Sequence, residues 1–201
     1  MRKELQTRGL VLGHPAFIRI FKEESELEVW VRESEQFKLF KTYAICNYSG
    51  DLGPKLKEGD RQSPEGFYAV NQASMNPNSS YHLSFNLGFP NSFDQAHHRT
   101  GSFLMVHGDC VSIGCYAMTD ASIEEIYLIV EAAQLAGQKM VPVHAFPFRM
   151  EPERMVLEKD SVWYGYWQNL QSGYELFEAE FLPPTVSVSN KTYVFASGRQ
   201  I

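Results

Sequence analysis

Residues 103–115 read FLMVHGDCVSIGC, and this stretch decides how the chain is interpreted. It places His107 at the end of an apolar strand and puts Cys115 directly after a glycine, at a turn. A thiol needs a neighbouring base to become a thiolate, and a glycine lets backbone N–H groups turn toward a developing oxyanion. The stretch therefore predicts a cysteine enzyme with Cys115 as nucleophile and His107 as base.

The length and charge of the chain limit the classes of binding partner that can be expected. The 201 residues suffice for one buried core, or one core with an appendage. Scattered charges, 18 basic against 24 acidic with a net charge of −6, argue against nucleic acid or an anionic membrane as partner. No stretch approaches the roughly 20 apolar residues of a membrane helix, so no transmembrane segment is predicted. Residues 1–8 show no signal peptide, which fits a cytoplasmic protein or a mature chain whose leader was removed.

Three cysteines leave their pairing open. A Cys46–Cys110 disulfide would leave Cys115 free, but sequence alone cannot give the distance that a disulfide demands. The sequence favours free buried thiols for Cys46 and Cys110. Several histidines lie near these cysteines in sequence, yet no Cys-x-x-Cys or His-x-x-x-His spacing appears. The sequence therefore predicts no metal and no other cofactor.

The hydropathy pattern predicts strands in the first half and a helix after Cys115. Residues 71–80 are rich in Asn, Ser and Pro and predict a loop. The first clear helix begins near Ser122, in a capping-box pattern with Asp120 as a competing N-cap, and Gly137 is its expected stop. An edge strand is expected at 141–146, where Pro142 would be tolerated. The predicted early strands are 17–22, 27–32, 37–45, 66–70, 81–89 and 102–106.

Three regions are expected along the chain: a lead-in at 1–14, a catalytic domain at 15–150, and a C-terminal extension at 151–201 packed on that domain. The extension is predicted to hold a short aromatic helix from Trp163 to Leu170, then Gly173 and a second helical piece to Phe181. A hairpin should follow at 185–195, turning at Asn190.

Several motifs resemble those of a known family. His107-Gly108 followed by SIGC at 112–115 is similar to the HG…SxGC signature of L,D-transpeptidases with a YkuD-type catalytic domain. GPK at 53–55, GD at 59–60 and SPEG at 63–66 match the family's upstream stretch, and GFPN at 88–91 with Asp94 resembles a further segment. These motifs stand in the family's order across residues 15–145. In finer detail the chain resembles the YafK-like branch.

The resemblance implies an α+β fold, mainly β, and a periplasmic enzyme acting on peptidoglycan stem peptides at the meso-diaminopimelate centre. It implies a thioester on Cys115, with His107 as base and then acid. The backbone N–H groups of Gly114 and Cys115 would hold the oxyanion, with Ser112 and Gly108 shaping the turn. An outer-membrane lipoprotein conjugate is a further partner that the family implies. Possible substrate contacts are His97, His98, Asp94 and Tyr116.

Three departures from the family pattern concern the acceptor of the acyl group, which can be water or an amine. Only seven residues separate His107 from Cys115, Ile113 stands where a second histidine is common, and Ala117 where an arginine is common. We therefore favour hydrolysis, by trimming of peptides or release of lipoprotein, over transfer to an amine that cross-links peptides or attaches lipoprotein. Two alternatives of other classes remain open: a non-catalytic cell-wall binding module and a zinc-stabilised structural domain.

Overall fold

The computed structural model describes residues 1–199, and within this range the chain forms twelve strands. The strands are β1 (Ala16–Phe21), β2 (Glu26–Glu33), β3 (Gln36–Ala44), β4 (Asn47–Tyr48), β5 (Gly66–Val70), β6 (Met75–Ser79), β7 (His82–Asn86), β8 (Met105–His107), β9 (Tyr116–Ala117), β10 (Val141–Phe146), β11 (Thr185–Ser189) and β12 (Thr192–Ala196). Five of them form one sheet in the order β3-β2-β1-β10-β5, five form a second sheet in the order β4-β9-β8-β7-β6, and β11 pairs with β12.

One long helix packs between the two sheets and completes the main core. It contacts β1 and β10 of the first sheet and β7 and β8 of the second, through an apolar face that includes Ile123, Ile126 and Val130. The predicted α+β class, mainly β, is confirmed. The helices are α1 (Arg2–Thr7), α2 (Ser92–Ala96), α3 (Asp120–Leu135), α4 (Pro152–Val156) and α5 (Tyr164–Glu180), with a 3₁₀ turn at Gln72–Ser74.

The first four predicted strands are confirmed to within a residue or so, but three other local predictions are wrong. Residues 71–80 contain the 3₁₀ turn and β6, which tolerates Pro77 because it is an edge strand. Two short helices, α1 and α2, precede Cys115. The N-cap of α3 is Thr119, whose hydroxyl accepts from the N–H of Ser122, so neither Asp120 nor Ser122 is the N-cap.

Strand β10 lies inside its sheet, between β1 and β5, and the prediction of an edge strand is wrong. The parallel pairing with β1 begins at Val143, opposite Ile18. Pro142 therefore falls one residue before that ladder starts, where its missing N–H removes no parallel pairing. On its other side Pro142 lies within the antiparallel ladder with β5, opposite Ala69, so it marks the end of the parallel ladder alone, a position that sequence alone does not separate from a sheet edge.

The C-terminal segment packs on the first sheet through one continuous helix. The predicted division of this helix at Gly173 is wrong, because α5 continues through that residue. A Cβ atom built there would lie 2.6 Å from the rings of both Phe67 and Phe195, so the glycine allows β5 and β12 to approach the helix. The predicted hairpin is confirmed, with β11 and β12 joined at Asn190 and Lys191 in left-handed conformations.

A buried ion pair joins the end of β1 to the loop before β5, and Trp167 of α5 forms a hydrogen bond with it. Lys22 and Glu65 are both fully buried and lie 3.0 Å apart. The ammonium group also donates to the carbonyl oxygens of Asp51, Gly53 and Ser63, while the second Glu65 oxygen accepts from Trp167 Nε1. Because every polar atom of the pair is satisfied, the pair can be buried, and it fixes the loop that passes beneath Cys115.

Candidate active site

The parallel pairing of β8 and β9 brings His107 and Cys115 to one place. Val106 lies opposite Tyr116 and His107 opposite Ala117, with Cys115 immediately before β9. Val106 and Tyr116 are fully buried in the core. Since successive side chains of a strand point to opposite faces, the residues that flank this pair face the other way. His107 and Cys115 thus line one cleft.

The imidazole of His107 is held in one tautomer. Its Nδ1 lies 2.6 Å from the carbonyl oxygen of Gly108, which can only accept, so Nδ1 carries the proton. Nε2 then has the free lone pair that a general base needs. Burial lowers the pKa of His107, and the Gly108 carbonyl and the Asp109 charge oppose that shift. The imidazole is therefore neutral and ready to accept a proton.

The sulfur atom of Cys115 contacts two backbone groups of the neighbouring chain segment. This Sγ atom accepts from the N–H of Met105 at 3.4 Å and lies 3.6 Å from the carbonyl oxygen of Phe103. Burial raises the pKa of the Cys115 thiol, while the Met105 N–H and the Lys55 charge act against the rise. The shifts of the histidine and the cysteine both disfavour a resting ion pair. Proton transfer is consequently expected to accompany attack on a substrate.

Three serine side chains form a hydrogen-bonded group at the backbone carbonyl of Cys115. The Ser112 hydroxyl donates to the carbonyl oxygen of Cys115 at 2.7 Å, and the Ser63 hydroxyl donates to the same oxygen at 3.1 Å. Because Ser112 donates there, the Ser49 hydroxyl must be the donor in its 2.8 Å contact with Ser112 Oγ. The predicted turn residue Ser112 thus has a defined partner. Ser49 and Ser63 were not predicted to contribute to the site.

The two glycines of the motif meet different requirements. Gly114 has a φ of 147°, a region that favours glycine, and a Cβ there would lie 3.3 Å from Leu104 Cδ1. Gly108 is required by space, because a Cβ would lie 2.6 Å from Asp120 Oδ1 and 3.0 Å from the carbonyl oxygen of Tyr81. Both are therefore fixed by the loop geometry around Cys115.

The two backbone N–H groups predicted to hold the oxyanion, those of Gly114 and Cys115, are not equally free to bind a substrate oxygen. The Gly114 N–H donates to Ser112 Oγ at 3.2 Å. Within residues 1–199, the backbone N–H of Cys115 makes no such hydrogen bond. Cys115 therefore offers a free donor, whereas Gly114 must release Ser112 before its N–H can serve a substrate oxygen.

The surrounding cleft has a volume of about 510 Å³ and a largely apolar rim. Phe103 and Ile113 are 71% and 79% exposed at this rim, beside Val111 and Tyr81. Among the cleft residues of the described chain, Lys55 is the one with a permanent positive charge, and it forms an ion pair with Asp60. Glu58 also lines the cleft, so both signs of charge are present, and the cleft suits a ligand with an apolar portion and charged groups.

Cys46 and Cys110 form a disulfide, with Cα atoms 5.3 Å apart, and Cys115 is free. The expectation of two free buried thiols is therefore wrong. Cys46 follows β3 and Cys110 lies in the loop between His107 and Cys115, so the pairing depends on the meeting of β4 with β9. Asp109 and Cys110 both adopt left-handed conformations, and the disulfide anchors the loop at this point.

Two predicted substrate contacts lie on α2 and its end. His97 contacts the carbonyl oxygen of Lys191 through Nε2 at 2.8 Å and packs on Phe93 at a ring distance of 4.4 Å. His98 is exposed, in a left-handed conformation. Neither side chain lines the cleft with Cys115. His97 instead joins α2 to the C-terminal hairpin.

The other two, Asp94 and Tyr116, are fully buried, so the prediction of substrate contact is corrected for both. Asp94 completes a capping box with Asn91 and pairs with Arg99 at 2.8 Å. The hydroxyl of Tyr116 donates to the carbonyl oxygen of Pro64 at 2.6 Å. Their polar atoms stabilise loops beneath the site, which the sequence pattern does not distinguish from a surface that contacts substrate.

Neither a metal centre nor a membrane helix appears in the described part of the chain. Among residues 1–199, no three His, Cys, Asp or Glu side chains are grouped as metal ligands would be. In the same range every helix is too short or too polar to cross a bilayer.

One cleft of this mixed-sheet scaffold thus holds a cysteine thiol, a histidine and a backbone donor, which are the groups that acyl transfer by a cysteine enzyme requires. Residues 15–144 match the YkuD family, described as the L,D-transpeptidase catalytic domain, and the chain belongs to that family. It is 49% identical over 184 residues to an Escherichia coli K12 protein named "Putative L,D-transpeptidase YafK", an alignment that covers 92% of this chain and 75% of that protein. The predicted family and branch are confirmed.

The fold is also found in solved structures. The helical cell shape determining protein Pgp2 of Campylobacter jejuni superposes with a TM-score of 0.53 at 17% identity, over 94% of this chain and 80% of that one. A mutant of Pgp2 gives a TM-score of 0.54 at 18% identity, over 88% and 72%. At these identities the similarity concerns the fold alone.

Proposed function

We propose that this protein is a peptidoglycan-modifying cysteine enzyme that acts at the meso-diaminopimelate centre of stem peptides and favours water as acceptor. Membership of the L,D-transpeptidase family supports the substrate class. One observation carries the chemistry: His107 has its Nδ1 proton fixed by Gly108 and lines the same cleft as the free thiol of Cys115. That arrangement gives a base and a nucleophile in the protonation states from which acyl transfer starts.

The proposed reaction proceeds through a thioester. His107 Nε2 takes the thiol proton as the sulfur electron pair forms a bond to the peptide carbonyl carbon. The carbonyl oxygen becomes negatively charged and accepts from the N–H of Cys115 and, once Ser112 is displaced, of Gly114. The C–N bond then breaks, and the imidazolium proton passes to the leaving amine. Water attacks the thioester with His107 again as base, and the acid product and thiol are released.

Substrate anchoring is proposed for Lys55. Ala117, at the position where the family commonly has arginine, is fully buried in β9 opposite His107. A positive charge for a substrate carboxylate must therefore come from another element. Lys55 lines the cleft, and two oxygens, of Lys57 and Asp60, accept from its ammonium group. The third N–H is available for a carboxylate of the stem peptide.

The preference for water rests on the short loop. The Cys46–Cys110 disulfide anchors the loop of residues 108–114. Ile113 is exposed at the rim of the cleft, at a position where the family commonly has a histidine. This rim offers no polar side chain at Ile113 to orient an acceptor amine. The disulfide also supports an oxidising compartment, and we propose the periplasm. Two extensions belong to the same proposal: a lipoprotein conjugate as substrate, and a role in cell shape, which the name of Pgp2 states for that protein.

Defined muropeptides, with and without attached lipoprotein, test the proposal when products are read by mass spectrometry. We expect shortened or released stems, a transient acyl adduct on Cys115, and neither with Cys115→Ala. Cross-linked products without released stems would show an amine acceptor instead. An intact substrate with no adduct on Cys115 at neutral pH would favour a non-catalytic binding module.

A further inference from the structure

The hairpin between β6 and β7 places an aromatic ring against the catalytic histidine. Tyr81 lies at the two-residue tip of this hairpin, between Ser79 and His82, which pair with each other. Its ring centroid is 4.7 Å from that of His107, with an angle of 35° between the planes. Tyr81 is 43% exposed and lines the cleft beside the thiol.

The position of this ring is fixed by the backbone. The N–H of Gly108 donates to the carbonyl oxygen of Tyr81 at 3.0 Å, and the Tyr81 N–H donates to the Ser79 hydroxyl at 3.1 Å. The hairpin tip is thus bonded directly to the residue whose carbonyl oxygen orients the imidazole. Gly108 therefore makes both contacts: its carbonyl oxygen accepts from the imidazole, and its N–H donates to the residue that carries the ring.

During the proposed reaction His107 becomes an imidazolium in a site that disfavours charge. The negative face of an aromatic ring attracts a cation within about 6 Å of its centroid. Tyr81 meets this distance, and its ring face is turned partly toward the imidazole. An aliphatic side chain of similar size would fill the space without that attraction.

We propose that Tyr81 is a positioning residue that acts through His107: its ring holds the imidazole and stabilises the imidazolium formed when Cys115 attacks. The inference rests on the proposed function for the identity of the reaction. Other titratable groups near His107 are Asp109 in its own loop, His82 on β7, Asp120 at the start of α3, and Cys115 across the cleft. Of these, Asp109 also favours the charged imidazole.

The pKa of His107, followed by NMR in the full chain with Cys115→Ala, tests the inference without any substrate. Tyr81→Leu should lower it by about half a unit, because the charged form loses its aromatic neighbour. Tyr81→Phe should restore the value, since the ring remains. Phe103→Leu removes another aromatic side chain of the cleft that is not stacked on His107, and should leave the value unchanged.

Thiol reactivity provides the second readout. With Cys115 present, Tyr81→Leu should slow alkylation by iodoacetamide at neutral pH roughly threefold, and Tyr81→Phe should not. Tyr81→Met serves as a second non-aromatic variant if the leucine variant unfolds. On a muropeptide substrate, kcat should fall with little change in KM.

Equal His107 pKa values and equal alkylation rates in the leucine, methionine and phenylalanine variants would overturn the role of Tyr81. So would a change confined to KM, which would indicate substrate contact. Because the NMR and alkylation measurements need no peptide, an inactive wild-type protein would refute the proposed function while leaving this inference separately testable.

Discussion

The hydroxyl of Ser112 donates a 2.7 Å hydrogen bond to the carbonyl oxygen of Cys115, three residues further along the chain. The same oxygen atom of Ser112 accepts from the Gly114 N–H and from the Ser49 hydroxyl. One donor and two acceptor sites are therefore all used, which is the full capacity of a hydroxyl. Cys115 is therefore held both by its own turn and by residues of the loop that precedes β5.

Ser112→Ala should lower kcat/KM about tenfold, because the Cys115 carbonyl loses its shorter hydrogen bond and the sulfur its fixed position. The free energy of unfolding should fall by only about 1 kcal/mol, since Ser63 still donates to that carbonyl. Steady-state kinetics and urea unfolding measure the two effects. Ser172→Ala, on the exposed surface of α5, is the matched control. Equal kinetics in both variants would contradict a positioning role for Ser112.

The sequence could place His107 and Cys115 together because the information for this candidate pair is local. A histidine at a strand end and a cysteine after a glycine lie within one short segment, and the family motif surrounds them. Ser49 and Tyr81 were missed because each reaches the site through long-range pairing. Ser49 arrives with β4 beside β9, and Tyr81 arrives on a hairpin whose first strand, β6, was predicted as a loop.

Asp94 and Tyr116 show a second limit of sequence patterns. Both lie in or beside motifs of the family, and a polar residue in a motif reads equally well as a substrate contact or as a buried loop brace. The structure resolves the ambiguity through burial, since both side chains are fully enclosed. The Cys46–Cys110 pairing likewise depends on a distance that only the folded sheet supplies.

The disulfide should make a large contribution to stability. It links cysteines 64 positions apart, and closing a loop of that size restricts the unfolded chain. Replacing both with serine should lower the free energy of unfolding by about 2–4 kcal/mol, measured in urea without reductant.

A thiol count checks the pairing itself. The denatured wild-type protein should present one reactive thiol, Cys115, before reduction and three after it. Three thiols before reduction would refute the pairing, and an unchanged urea midpoint in the double variant would refute its contribution to stability.

Two glycines in α5 allow a matched comparison of how the C-terminal segment packs. Gly173→Ala should destabilise the protein by about 1–3 kcal/mol, because the new methyl group meets the rings of Phe67 and Phe195. Gly165→Ala should stabilise it by about 0.5–1 kcal/mol, since nothing lies within 4 Å of that position and alanine favours helix. Thermal and urea unfolding separate them. Equal effects would show that α5 does not pack as closely on the first sheet as described.

The pH dependence of the reaction follows from the two pKa shifts at the site. Attack requires neutral His107, and because burial lowers its pKa, the neutral form persists below pH 6.5, the ordinary value. The acid limb of kcat/KM should therefore have its midpoint below 6.5. Burial raises the pKa of Cys115, so iodoacetamide alkylation of His107→Ala, which lacks the base, should rise with a midpoint above about 8.5.

Wild-type protein is the control for alkylation, because its histidine should keep the thiol reactive at neutral pH, where the variant is slow. An acid midpoint above 6.5, or a thiol midpoint well below 8.5 in the variant, would indicate a resting thiolate–imidazolium pair. That result would contradict the neutral pair, since an ion pair raises the pKa of the histidine and lowers that of the cysteine. Proton transfer would then precede substrate binding, and the ring of Tyr81 would face a cation throughout the cycle.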